Sequence, residues 1–139
     1  MKLSLIATAA LFALSAPAFA GDAEKGEKEF KKCKSCHEVV ADDGTAIVKG
    51  GKTGPNLYGV IGRQAGSVEG FKYGDSIVAA GEGGLIWDEE QLATYSADPK
   101  GFLKEVTGDD GAKSKMTYKL KKGGDDVAAY LASVAPAVN

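Results

Sequence analysis

Cys33-Lys34-Ser35-Cys36-His37 holds both cysteines and the only histidine of the chain. A C-x-x-C followed directly by histidine is the signature of c-type haem attachment. Two thiols at that spacing can form thioethers to the two vinyl groups of one haem. The adjacent imidazole can then bind the iron axially. Other readings compete. In an exported protein two cysteines often pair as a disulfide. A C-x-x-C can also be a thioredoxin-like redox pair, but that needs a βαβ context, and no Val/Ile-rich strand runs are read around the motif. Zinc would find only three Cys/His ligands, with no second pair to complete a structural site. A simple disulfide gives no reason for His37 to stand beside Cys36, so haem attachment is the favoured reading.

Apart from the initiator Met1, the chain has one methionine, Met116. A lone methionine usually fills core space. Here it is also the only soft thioether available for the second face of an iron held by His37. Ligation by His and Met raises the reduction potential. It fills both axial positions and leaves none for substrate or oxygen. That favours outer-sphere electron transfer over catalysis, hence no enzyme. The alternative is a haem enzyme or gas sensor, peroxidase-like, with an open distal side.

The start of the chain says where this chemistry takes place. Lys2 gives a positive n-region, residues 3–14 an apolar h-region, and Ala18-Phe19-Ala20 a cleavage site. Residues 1–20 therefore read as a cleaved secretory signal peptide and the protein as periplasmic. The apolar run is short for a membrane span, and nothing else approaches that length. Residues 21–139 are expected to form one domain. Without Lys2 the chain has 16 basic and 19 acidic residues, which gives no sign of nucleic-acid binding. A monomer is the default.

The local pattern is helical. Asp22 is a suitable N-cap, with Glu24 and Glu27 early and Lys31, Lys32 and Lys34 late, so residues 23 to about 33 are expected to form a helix. Residues 41–56, rich in glycine, are expected to form a loop. Short helices are expected over 75–80, 88–97 (Asp88 and Gln91 at capping-box spacing) and 99–106. A last helix is expected over about 125–134, where Val127, Tyr130, Leu131 and Val134 follow the i, i+3, i+4, i+7 pattern.

Set in order, Cys33 to His37, Thr53-Gly54-Pro55-Asn56-Leu57-Tyr58-Gly59, Phe71-Lys72-Tyr73, Trp87, Tyr95, Lys115-Met116 and Asp126 to Leu131 span nearly the whole exported chain. In these blocks it resembles a class I cytochrome c, closest to the bacterial cytochromes c2. The resemblance implies an all-α fold, with helices wrapped around one covalent haem c and the first and last helices crossing at Gly26, Phe30 and Tyr130. It implies Cys33 and Cys36 as thioether anchors, His37 and Met116 as iron ligands, and the Pro55 carbonyl as partner of His37. Arg63, Tyr73 and Trp87 match donors to the haem propionates. Tyr95 matches an aromatic near the methionine sulfur, and Tyr118 one at the haem edge.

Ten of the fifteen lysines beyond the signal peptide flank the two ligands, at positions 25, 28, 31, 32 and 34 and at 113, 115, 119, 121 and 122. Folded together they would form a lysine-rich face that steers docking to acidic partners. The resemblance implies those partners: a membrane quinol-oxidising bc complex as donor, and a photosynthetic reaction centre or an oxidase as acceptor. Three departures are visible. Extra residues lie around 42–51 and 105–113, and Ile77 stands where many mitochondrial relatives have asparagine.

Overall fold

The computed structural model describes residues 21–135; the expected signal peptide, residues 1–20, lies outside them. Asp22 opens α1 (Ala23–Glu29), its carboxylate accepting from the N–H groups of Glu24 and Lys25. The helix then tightens into a 3₁₀ turn, Phe30–Lys32, and ends at Cys33. The chain thus delivers the first thiol directly from a helix end. Four further helices follow: α2 (Asp75–Glu82), α3 (Glu89–Ala97), α4 (Pro99–Thr107) and α5 (Gly124–Val134).

Their ends follow from particular residues. Asp88 and Gln91 form the capping box that opens α3. Asp98 closes α3 and caps α4 by accepting from the Gly101 N–H, with Pro99 at the first helical position, where its missing N–H is harmless. Gly108, left-handed at φ 67°, stops α4.

The first and last helices cross as expected. A side chain on Gly26 would collide with the Asp126 carbonyl and the Tyr130 Cβ, so only glycine lets α1 and α5 approach this closely. Phe30 and Tyr130 pack with ring centroids 5.7 Å apart, and Phe30 and Leu131 are each 1% exposed. Burying each such side chain contributes about 2 kcal/mol. A second cluster joins Trp87 to Tyr95 and Phe102 at 5.1 and 5.8 Å, fixing α3 against α4.

One expectation needs correction. Residues 41–56 are not all loop: β2 (Ala46–Val48) pairs antiparallel with β1 (Val39–Val40), with an irregular register. Val39 is fully buried, and the Val40 N–H and carbonyl are both bonded by the Asn56 side chain, at 3.0 and 2.8 Å. Ala46 and Ile47 are both exposed, so no alternation marks the strand in the sequence. Strands therefore do follow the C-x-x-C, but as a small antiparallel pair without the helix of a βαβ unit. The fold is otherwise all-α. Among the described residues no helix is long and apolar enough to cross a membrane.

Candidate haem-binding site

His37 is the best-defined member of the site. Its Nδ1 lies 2.8 Å from the Pro55 carbonyl oxygen. A carbonyl only accepts, so Nδ1 carries the proton and donates it, and Nε2 keeps its lone pair. Burial holds the His37 pKa below its ordinary value; the bond to Pro55 opposes this and nearby Arg63 adds to it. The imidazole is thus kept neutral, the form that binds metals.

The peptide around His37 is gripped by backbone. The Gly51 N–H donates to the Lys34 carbonyl at 2.9 Å, and the Gly54 N–H donates to the Cys36 carbonyl at 2.8 Å. A side chain on Gly54 would run into the His37 ring, one on Gly50 into the His37 carbonyl, and one on Gly51 into the Ser35 carbonyl. Three glycines therefore allow the segment after β2 to lie flush against the attachment motif. The sequence reading assigned none of them a role, although their density there was visible.

Cys33 is half-buried and Cys36 exposed. Burial pushes the Cys33 thiol up to about 11. Redox-active C-x-x-C pairs depend on a depressed thiol pKa, so this environment does not suit thiol–disulfide catalysis.

Arg63 is half-buried, and its Nη1 donates to the carbonyls of Asn56 and Tyr58 at 3.1 and 3.2 Å. Burial lowers its pKa, while the Tyr73 phenol acts the other way. Among the described residues no carboxylate pairs with this guanidinium. A half-buried cation without an anion is costly, and a haem propionate is the kind of group that would complete it. Tyr73 accepts a bond from the Val68 N–H at 3.2 Å, which leaves its own hydroxyl proton free to donate. Trp87 is 5% exposed and packs in the aromatic cluster, a core role at the least. Burial raises the Tyr95 pKa, the Ser114 hydroxyl partly counters this, and Tyr73 adds to it.

Met116 is half-buried in the segment between α4 and α5, where its carbonyl accepts from the Ser114 hydroxyl at 2.8 Å. Hydrogen bonds join these residues in two groups: His37 through Pro55 and its neighbour Asn56 to Arg63, and the Met116 segment through Lys115 to the Lys72 carbonyl beside Tyr73. The two lysine windows come close at one point: a Cβ on Gly123, next to Lys122, would stand 3.1 Å from Glu29 Cγ, and Glu29 accepts from Lys32 at 2.6 Å. Glu29 raises the Lys32 pKa, and a smaller contribution comes from Tyr118, two residues beyond Met116. Three of the ten lysines pair with carboxylates, Lys25 with Asp22 at 3.6 Å, Lys32 with Glu29 at 2.6 Å and Lys119 with Asp98 at 3.0 Å, and a fourth, Lys115, donates to the Lys72 carbonyl.

A scan against protein-family models finds no match. Individual relatives are nevertheless close. The chain is 65% identical to cytochrome c2 of Rhodobacter capsulatus over 135 residues, covering 96% of this chain and 98% of that one. It is 59% identical to cytochrome c-550 of Paracoccus versutus, covering 98% and 91% of the two chains. Among solved structures, the Rhodobacter capsulatus cytochrome c2 superposes with a TM-score of 0.81 at 66% identity, covering 82% of this chain and 98% of that one. Ferric cytochrome c-550 from Paracoccus versutus also gives a TM-score of 0.81, at 61% identity, covering 84% and 99% of the two chains.

Proposed function

This chain belongs to the class I cytochromes c, among the cytochromes c2 and c-550, electron-transfer proteins with covalent haem c; on that premise we propose that it is a soluble periplasmic carrier whose iron is held by His37 and Met116. The observation that carries the ligation is the Nδ1–H bond from His37 to Pro55, which leaves Nε2 free to bind iron. The half-buried Arg63, whose guanidinium meets only carbonyl oxygens, supports the same placement. When bound, the haem supplies one-electron chemistry between Fe(II) and Fe(III).

The protein residues do the rest. Cys33 and Cys36 anchor the porphyrin through thioethers. Pro55 fixes the tautomer and plane of His37 and raises its basicity. Met116 would hold the iron on the other side, leaving no site for a substrate, which fits carriage of an electron. Arg63, Tyr73 and Trp87 would donate to the propionates, and Tyr95 would stand near the methionine sulfur. The family relationship does not favour the alternative of a haem enzyme or gas sensor with an open distal side.

Docking uses the lysines that surround both ligands. Lys28, Lys31, Lys34, Lys113, Lys121 and Lys122 make no ion pair among the described residues and remain available to acidic surfaces. The donor is a membrane bc complex, and the acceptor a photosynthetic reaction centre or an oxidase. Steering of this kind requires an electron-transfer rate that falls steeply with ionic strength. A rate that does not change with salt would remove the lysine face from the proposal.

A further inference from the structure

We propose that removal of residues 1–20 creates a partner for α5: the α-ammonium freed on Gly21 pairs with the Asp126 carboxylate and strengthens the crossing of the first and last helices. The inference rests on residues 1–20 being a cleaved leader.

Gly21 is fitted to α5. A side chain there would run into the Asp125 carbonyl, and its Cβ would stand 2.7 Å from the Ala129 Cβ. Leader cleavage asks for small residues before the cut, which Ala18 and Ala20 supply, and makes no such demand after it. The glycine at position 21 therefore answers the helix and not the peptidase. One residue on, the Asp22 N–H donates to Asp126 Oδ1 at 2.8 Å, across 104 positions of chain. The chain thus enters the fold along the first turn of α5, just ahead of the crossing at Gly26.

Successive backbone nitrogens lie within about 4 Å of each other, so the Gly21 nitrogen stands within about 7 Å of that Asp126 oxygen. This is inside the screening length of about 8 Å at physiological salt. The charges around it are mostly negative. Asp22, Glu24 and Lys25 stand on α1 and its cap, and Asp125 and Asp126 on α5. Lys25 is drawn to Asp22 at 3.6 Å, and neither Asp125 nor Asp126 makes an ion pair among the described residues. Hydrolysis of the Ala20–Gly21 peptide by a peptidase consumes one water. It leaves a carboxylate on Ala20, which departs with the leader, and passes the acid proton to the new amine of Gly21. In the uncleaved chain the same nitrogen is a neutral amide. The pair therefore belongs to the processed protein alone.

The test compares thermal unfolding of the exported ferric holoprotein before and after N-terminal transamination, which turns the α-amine into a neutral carbonyl and spares the lysines. At pH 6 the neutralised protein is expected to unfold about 3 °C lower, as loss of one exposed ion pair would give. Pairing raises the pKa of the ammonium. Its contribution is therefore complete below about pH 7.7, the ordinary α-amino value, and is lost as the pH rises through the raised one. By about pH 10 the two proteins are expected to unfold together. Asp126→Asn keeps an oxygen for the Asp22 N–H but removes the charge, so in that variant transamination changes nothing. The pair is overturned if the neutralised protein unfolds like the untreated one at pH 6, or if Asp126→Asn loses as much on treatment as wild type. N-terminal sequencing of the exported protein separates the two levels. A first residue other than Gly21 overturns the leader cleavage and the pair with it, whereas Gly21 in first place with unfolding indifferent to treatment overturns the pair alone.

Discussion

The two sides of the candidate site are built from different materials. On the proximal side, His37 is enclosed by backbone: the Pro55 carbonyl on its ring, and Gly50, Gly51 and Gly54 pressed against the peptide that carries it. On the distal side, Met116 sits in a segment without regular structure, tied by the side chains of Ser76, Ser114 and Lys115. Close-packed backbone yields only by moving whole segments, whereas exposed polar ties break one at a time. His37, the proposed proximal ligand, should therefore be permanent, and Met116, the proposed distal one, exchangeable.

The sharpest break in that comparison is a matched pair of substitutions. Gly54→Val forces a branched side chain into the His37 ring and is expected to cost more than about 3 kcal/mol, seen as loss of folded, haem-loaded protein. Met116→Ala is expected to keep the fold, with a cost of about 2 kcal/mol in thermal unfolding, while the potential falls and carbon monoxide binds the reduced protein rapidly. If both variants fold equally well, the contrast between the two sides fails.

Asn56→Ala tests the support behind the proximal side. It removes the partner of the Val40 N–H and carbonyl and an acceptor for the Tyr58 N–H, and should cost about 2 kcal/mol by denaturant unfolding. Tyr73→Phe leaves the Val68 N–H without its acceptor and should cost about 1 kcal/mol, with a small shift in potential. Hydrogen exchange gives the gentlest comparison. The Gly51 and Gly54 amides should exchange at least about tenfold more slowly than the Lys113 amide.

Much of this was legible in the sequence wherever the cause is local. Asp22, the Asp88–Gln91 pair and Asp98-Pro99 mark helix starts because capping acts within one turn. His37 beside Cys36 points to haem because the chemistry itself requires adjacency. The β1–β2 pair escaped notice because Ala46 and Ile47 both face solvent and the register slips between Val39 and Val40. The bond from Lys115 to the Lys72 carbonyl and the glycine contacts with residues 34–37 join distant parts of the chain, and no spacing rule announces them. The lysine windows were visible as charge, and the pairs of Lys25 with Asp22 and Lys32 with Glu29 stand at the local i, i+3 spacing, but the pairing of Lys119 with Asp98, 21 positions away, has no mark in the sequence.

The central claim is a covalent haem held between His37 and Met116. It is tested most directly by absorption spectra of the oxidised and reduced exported protein, with Met116→Ala alongside. The expected result is a covalently retained, low-spin haem with a far-red thioether band in the oxidised wild type that is missing from Met116→Ala. A protein without covalent haem, or a far-red spectrum that Met116→Ala leaves unchanged, would contradict it.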